Sequence, residues 1–261
     1  MTRSTSDTDP TAALDGALGA DPAAWLAASC AAAGDQRALL RAFPAVGRRL
    51  GRGPLPAARP PAGDPGELHA WTVDDAGRAR LLRAAAEATD PATLAALLDR
   101  LYVHGDAAER RGVLRALDLL PLAAEGLPLI RDALRTNDVR LVAAAVAGGY
   151  AARQLPDAEF DQAVLKCLFV GVPLAGIAAL PTRGSPRLAR MVADFARERI
   201  AAGREVPADA WLVLARYPGA VTDAGLPAEA ASTVPARRAA AERFLAGRPA
   251  VASDPAATEE G

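Results

Sequence analysis

A chain of 261 residues with a net charge of −1 can bury a sizeable core, and it lacks the basic patches beside aromatic residues that mark nucleic-acid binding. Apolar residues make up 51% of the sequence and aromatic residues only 4%, so alanine, leucine and valine dominate, which favours helix over strand. No apolar run reaches the length of a membrane span, and the two distant cysteines form neither a disulfide framework nor a metal knuckle.

The first part of the chain divides into a polar lead, a helical segment and a loop. Residues 1–20 lack the charged-then-apolar layout of a secretory signal, and their composition predicts a disordered lead. Residues 21–50 begin with an Asp-Pro pair and carry spaced apolar positions, which predicts helix. Residues 51–67 are so rich in proline and glycine that we predict a linker or a surface loop.

A regular series of helix starts follows this loop. Asp90 and Asp106 suit N-caps, Pro91 suits a first helical position, and further starts fall near residue 122 and after Asn137. The starts recur roughly every 16 residues, so two helices take about 32 residues, the length of helix-pair repeats that stack into solenoids. We therefore predict an all-α fold with helix pairs in a HEAT-like or armadillo-like array.

The rest of the chain continues this helical pattern. Four more helical segments are predicted at residues 157–170, 173–180, 185–202 and 207–216. Alanine, proline and glycine dominate residues 219–261, which predicts a low-complexity tail with one candidate helix at 235–245 and a disordered end.

Two blocks of sequence carry a resemblance to a known family. The first contains "QAVLK" and "GVPL" within residues 162–174, and the second contains "LARM" and "DFARERIAAGR" within residues 188–204. In the order and spacing of these blocks, the chain from Thr93 to Tyr217 resembles the EboA family of metabolite-traffic proteins. The resemblance implies an EboA-like helical domain at residues 68–218. It also implies a non-enzymatic accessory protein, encoded with other members of an ebo cluster, that helps to move a metabolite precursor towards the membrane or periplasm.

Lys166 is the only lysine of the chain, and it lies in the most apolar segment. On a helix, Gln162 and Lys166 are neighbours at i and i+4 and form a narrow polar stripe on an otherwise apolar surface. The ammonium group must reach water, pair with a carboxylate or face a cavity that receives an anionic or polar ligand. Gln162 and Lys166 are therefore candidate ligand-binding residues, beside the simpler structural interpretation.

A second polar group ends the apolar stripe of the helix predicted at 185–202. Leu188, Val192 and Phe195 follow the spacing of a buried stripe, and Arg199 is the next residue on it, with Glu198 at its side. An arginine in this position either extends its stem along the core and places its guanidinium at a helix C-terminus or on a carboxylate, or it binds an anionic ligand. Glu198 and Arg199 are further candidate ligand-binding residues, and our hypothesis is that Arg199 faces Lys166 across a groove.

Motifs for catalysis, for a cofactor or for a metal are not found in the sequence. His69 and His104 are distant from each other and from any cysteine cluster, "GRGPLP" lacks the pattern of a dinucleotide fingerprint, and Ser185 precedes Pro186 as a helix cap. We predict no catalytic residue, no cofactor and no metal site.

Taken together, these features predict a cytoplasmic protein, at most peripheral to the inner membrane. Its expected partners are other proteins of the same pathway and an apolar or anionic small metabolite, but not nucleic acid. Two alternatives stay open: an enzyme or enzyme subunit acting on a prenyl or aromatic metabolite, with Lys166 and Arg199 holding an anionic group, and a pure protein–protein scaffold. A deep polar pocket favours the enzyme, an apolar cavity favours the carrier, and a shallow groove favours the scaffold.

Overall fold

The fold is helical throughout the part of the chain that the computed structural model describes, residues 9–55 and 68–249. In these two ranges the only β-type pairing is an isolated antiparallel bridge between Pro54 and Thr72. The prediction of an all-α protein is therefore confirmed for the described residues. The chain folds into two compact units, the first ending at Ala179 and the second beginning at Leu180.

The described part of the first unit contains nine α-helices. They are α1 (Ala20–Ala31), α2 (Gln36–Leu50), α3 (Val73–Glu87), α4 (Pro91–His104), α5 (Ala107–Ala116), α6 (Leu127–Arg135), α7 (Val139–Ala147), α8 (Gly149–Gln154) and α9 (Asp157–Val170). Asp90 and Asp106 accept hydrogen bonds from the first backbone N–H groups of α4 and α5, so these two predicted starts are confirmed. The start expected after Asn137 is also present, with Asp138 as the capping residue.

The second unit contains six α-helices in its described part. They are α10 (Leu180–Arg183), α11 (Pro186–Ala201), α12 (Trp211–Leu214), α13 (Pro218–Asp223), α14 (Leu226–Glu229) and α15 (Pro235–Ala246). Ser185 caps α11 and Pro186 occupies its first turn, as the sequence predicts. The short helices α13 and α14 were not expected in the alanine-rich and proline-rich segment, and each has a proline in its first turn.

Alternate helices form the centre of the first unit. Helix α3 packs between α2 and α5, α5 packs on α7, and α7 packs on α9, while α4 and α6 pack beside them. Helix α7 is buried on nearly all sides, because every residue from Leu141 to Val146 is excluded from solvent. Its alanines let neighbouring backbones approach closely, and they explain how an alanine-rich chain with few aromatic residues fills a core.

The polar lead differs from the predicted disordered segment in its described part, residues 9–20. Leu14 is completely buried, and a short 3₁₀-helix spans Ala13–Gly16. Arg83 of α3 pairs with Asp9 at 2.6 Å, and Arg80 pairs with Asp15 at 2.7 Å. One buried leucine and two ion pairs thus hold this segment on α3. The first eight residues lie outside the described part of the chain.

The predicted linker lies mostly outside the described residues, which stop at Leu55 and resume at Leu68. The chain segments on either side of these undescribed residues are joined by backbone hydrogen bonds. The N–H of Leu55 donates to the carbonyl of Trp71 at 2.8 Å, and the N–H of Val73 donates to the carbonyl of Gly53 at 2.9 Å. The chain therefore leaves and returns at one place, immediately before α3. The predicted disordered end falls at residues 250–261, outside the described part as well.

None of the helices in residues 9–55 and 68–249 combines the length and the apolar character that crossing a membrane requires.

Candidate functional site

The first turn of α3 places two carboxylates inside the first unit. Thr72 caps the helix, and its hydroxyl donates to Oδ1 of Asp74 at 2.6 Å. Asp75 completes a capping box with Thr72. Both Asp74 and Asp75 are completely buried. A helix N-terminus favours negative charge, which offsets part of the cost of removing these carboxylates from water.

Three arginines neutralise these two carboxylates. Nη1 of Arg78, one turn further along α3, lies 2.6 Å from Oδ2 of Asp74. From α5, Nε of Arg111 lies 2.9 Å from Oδ1 of Asp75, and Nε of Arg115 lies 3.2 Å from Oδ2 of Asp75. We call these five residues the arginine–aspartate cluster. It joins α3 to α5, the most extensively packed helix pair of the first unit.

Arg115 extends the cluster to the chain segment before α3. Its Nη1 and Nη2 donate to the carbonyls of His69 at 3.1 Å and Leu68 at 2.9 Å, and its guanidinium lies 5.5 Å from the ring of Trp71. The ring of His69 is buried, with Nε2 3.2 Å from the carbonyl oxygen of Pro173. The cluster therefore positions residues 68–72 against the turn that contains the "GVPL" block.

A glycine makes room for Arg78 inside the cluster. Arg78 is completely buried, and its guanidinium lies 5.5 Å from the ring of Phe43 in α2. A Cβ atom added to Gly112 of α5 would lie only 2.6 Å from Cδ of Arg78. The glycine thus allows α5 to approach α3 with the arginine stem between them.

Burial and neighbouring charges act in opposite directions on the pKa values of Asp74 and Arg115. Burial opposes ionisation of Asp74, but hydrogen bonds from Thr72 and Arg78 and the charges of Arg78 and Arg111 outweigh it and lower the pKa of Asp74 below its ordinary value. Burial lowers the pKa of Arg115, and the charge of Asp75 opposes that change. Three guanidinium groups facing two carboxylates give the cluster an excess positive charge.

The lowered pKa of Asp74 predicts a stability change in acid. The folded state holds the proton of Asp74 less tightly than the unfolded state, so Asp74 stabilises the fold fully above its ordinary pKa of 3.8. That contribution is lost as the pH falls from 3.8 through the lower pKa of the folded state.

Urea unfolding at a series of pH values tests this expectation with Asp74→Asn as the comparison. The difference in free energy of unfolding between wild type and variant is expected to be constant at neutral pH and to shrink in acid. If the free energies of unfolding of the two proteins, plotted against pH, stay parallel down to the lowest pH, Asp74 does not titrate in this way. The comparison with the variant removes the contributions of other carboxylates, such as Asp9 and Asp15, which are common to both proteins.

The polar stripe predicted on α9 is present, with different surroundings for its two residues. Gln162 is exposed, whereas Lys166 is half-buried and its Nζ donates to Oδ1 of Asn137 at 2.8 Å. The apolar face predicted opposite the stripe is buried, including Val164 and Cys167 at 0% exposure. Phe169 of the same helix is an apolar residue that is 62% exposed. Lys166 therefore reaches a polar side chain near the surface.

The second predicted pair lies on α11, in the second unit. Glu198 is exposed. Arg199 is half-buried, lies 5.7 Å from the ring of Phe195 and donates through Nε to the carbonyl of Glu205, just beyond the end of the helix. The carbonyl belongs to the loop after α11, so the contact ties Arg199 to that loop and does not cap the helix itself. Because Lys166 and Arg199 belong to different units, the hypothesis that they face one another stays a prediction.

A small cavity of about 100 Å³ lies in the second unit. Its buried lining includes Trp211 and Phe244, whose rings stack with centroids 4.8 Å apart. Glu205 and Arg243 are exposed at its edge, with Oε1 of Glu205 3.6 Å from Nε of Arg243. A cavity of this size accommodates a few water molecules or a small apolar group but not a typical metabolite.

Sequence reasoning did not find the arginine–aspartate cluster. Asp74 and Arg78 on α3 are four residues apart, a spacing that is typical of solvated ion pairs on helix surfaces, and Arg111 and Arg115 on α5 have no oppositely charged neighbour at that spacing that would single them out. Burial of these charges depends on the packing of α3 against α5, which single-sequence periodicity does not show. One available signal was Gly112 inside a helix, because an interior glycine often marks a close approach.

Comparison with known proteins supplies the family. The family model described as "Metabolite traffic protein EboA" matches residues 16–215, a range that contains the arginine–aspartate cluster, Lys166 and Arg199. No curated protein and no solved structure matches the chain. Since the matched range covers most of the chain and confirms the resemblance carried by the two sequence blocks, the protein belongs to the EboA family.

Proposed function

We propose that this protein is a non-enzymatic accessory protein that binds a metabolite precursor during its traffic and works with other proteins of the same pathway. The observation that carries the proposal is the match of residues 16–215 to the metabolite-traffic family. The chain holds its ligand or partner in the cytoplasm, and its contact with a membrane is at most peripheral.

The chemistry of the arginine–aspartate cluster supports a binding role. Asp74 is engaged by Thr72, Arg78 and Arg111, and its lowered pKa makes it a poor proton acceptor at neutral pH. Guanidinium groups are suited to holding carboxylates and phosphates, and they rarely exchange protons. Such a cluster supports recognition of an anionic group better than acid–base chemistry.

The packing order of the first unit supports the finer proposal of a HEAT-like array. Helices α3, α5, α7 and α9 contact one another in sequence order, with α4 and α6 packed beside them. Stacked helix pairs of this kind offer an extended surface to partners. An experimental structure with a known HEAT protein superimposed on residues 73–170 tests this part of the proposal, and it fails if the helix pairs do not superimpose.

The function is tested by recovering partners from the native host. The tagged full chain, expressed at its natural level, is isolated and analysed by mass spectrometry for both proteins and small molecules. We expect enrichment of proteins encoded in the same gene cluster and of at least one metabolite, relative to an unrelated tagged protein. Enrichment of neither would contradict the proposal, and conversion of the recovered metabolite by the purified chain would favour the enzyme instead.

Two single variants refine this experiment. If Lys166 or Arg199 contacts the cargo, Lys166→Ala or Arg199→Ala is expected to lower the recovered metabolite at least about tenfold, since each removes a charged donor. Arg140→Ala serves as the control, because Arg140 is exposed on the first unit. Unchanged recovery with both test variants would remove the two residues from the ligand site and leave their structural contacts as the whole of their role.

A further inference from the structure

One edge of the Arg78 guanidinium has no hydrogen-bond partner within residues 9–55 and 68–249. Arg78 is completely buried, and Nη1 is engaged by Asp74 at 2.6 Å. Nε and Nη2 are both excluded from solvent, and neither has a hydrogen-bond partner in the part of the chain that the structure describes. Buried guanidinium N–H groups are rarely left unpaired, because they lose their bonds to water without replacement.

The two nitrogens form a geometrically matched pair of donors. The guanidinium group is planar, so the N–H of Nε and one N–H of Nη2 point in parallel directions from the same edge. This spacing matches the two oxygens of a carboxylate, which such an edge binds in a bidentate manner. The edge available on Arg78 is thus suited to an oxyanion.

The charge of the cluster favours an oxyanion with a single negative charge. Arg78, Arg111 and Arg115 carry three positive charges, and Asp74 and Asp75 carry two negative ones. An uncompensated charge in a buried site is unfavourable, so one added negative charge would balance the cluster. A carboxylate supplies this charge, whereas a phosphate dianion would reverse the imbalance.

The space around Arg78 limits the size of the group that can bind. Phe43 covers the guanidinium, and Gly112 lies against its stem. Because Arg78 is completely buried among these neighbours, the site is compatible only with a small group.

We infer that the Nε and Nη2 edge of Arg78 binds the carboxylate group of a small metabolite, with the arginine–aspartate cluster as the receptor. This inference rests on the proposed function, for which it names the chemical class of the bound metabolite. Asp74 orients the guanidinium through Nη1, and Gly112 leaves room for its stem.

The test uses sodium formate as the probe, with the purified full chain and ionic strength held constant by chloride. Line broadening of ¹³C-formate in NMR spectra reports binding directly, and it is expected to be reversed by unlabelled acetate. Thermal unfolding should show a melting temperature that rises by about 3 to 5 °C for each tenfold increase of formate above its Kd. Inorganic phosphate is expected to compete weakly or not at all.

Arg78→Lys keeps the charge and removes the forked edge, so it is expected to weaken formate binding about 10- to 100-fold. Arg140→Lys, at an exposed position of the same unit, is the matched control and should bind as wild type does. Equal binding by wild type and Arg78→Lys, or no saturable broadening with wild type, would overturn the inference. Phosphate binding more tightly than formate would overturn its choice of a carboxylate.

A second measurement does not depend on the variant being folded. In a crystal of the wild-type chain grown with formate, the two formate oxygens are expected opposite Nε and Nη2 of Arg78. Water molecules alone at that edge would overturn the inference. Recovery of pathway proteins from the host can succeed when formate binding fails, so failure of this inference is distinguishable from failure of the proposed function.

Discussion

Asp75→Asn is expected to lower the free energy of unfolding by about 3 to 5 kcal/mol, the largest effect of any single substitution proposed for this protein. Asp75 is completely buried, accepts hydrogen bonds from Nε of Arg111 and forms an ion pair with Arg115, whose Nε lies 3.2 Å from Oδ2. Asparagine keeps the size and one acceptor oxygen but removes the charge. The three guanidinium groups of the cluster would then face the single carboxylate of Asp74, and Arg111 and Arg115 would lose their main partner.

Urea unfolding measured by circular dichroism gives the change in stability, and hydrogen exchange of peptides from α3 and α5 assigns it to the first unit. The control is Asp15→Asn, which removes the partner of Arg80 at the surface, where Asp15 is 72% exposed. Its effect should stay below about 1 kcal/mol. If both variants lose similar stability, the cluster contributes no more than a surface ion pair, and its structural importance would be refuted.

Gly112→Ala is expected to destabilise the protein by about 1 to 3 kcal/mol, although alanine is normally the better helix former by about 1 kcal/mol. The new Cβ would lie 2.6 Å from Cδ and 3.3 Å from Cβ of Arg78. Both atoms belong to the stem of a completely buried side chain, so they cannot move aside without displacing the guanidinium from Asp74.

Thermal unfolding of Gly112→Ala measures this effect, with Gly16→Ala as the control in the same unit. A Cβ at Gly16 meets nothing within 4 Å, so that substitution should be neutral or stabilising. A stabilised Gly112→Ala would show that α3 and α5 can separate at little cost. The same variant should also weaken formate binding if Arg78 holds the carboxylate, which connects the packing of the two helices to the proposed ligand.

The candidate residues on α9 and α11 show how much of a site the spacing of apolar residues along the sequence can predict. It placed Lys166 correctly on a narrow polar stripe, because the apolar residues around it recur with the period of a helix. It also placed Arg199 at the end of an apolar stripe near the end of α11, but the arginine donates to the carbonyl of Glu205 in the following loop and not to a carbonyl of the helix. Periodicity does not show which surface another helix covers. Phe169 is apolar and 62% exposed, whereas Asp75 is charged and completely buried.

The polar lead shows a similar limit. Its composition is polar and small, which is typical of disorder, yet Leu14 is buried and Asp9 and Asp15 pair with arginines of α3. These partners lie more than sixty positions away in the chain. Local composition contains no information about such contacts, because they arise only when α3 presents Arg80 and Arg83 towards the lead.

By itself, the sequence determined the helical class, most helix starts and the family. Caps such as Asp90 and Asp106 act within one turn, and the spacing of apolar residues follows the helix period, so both can be read from neighbouring positions. Only the tertiary structure decided that five charged residues of α3 and α5 form a cluster in which all but Arg111 are buried. The free energy of a charge depends on whether water or protein surrounds it, and that environment is created by residues far apart in the chain.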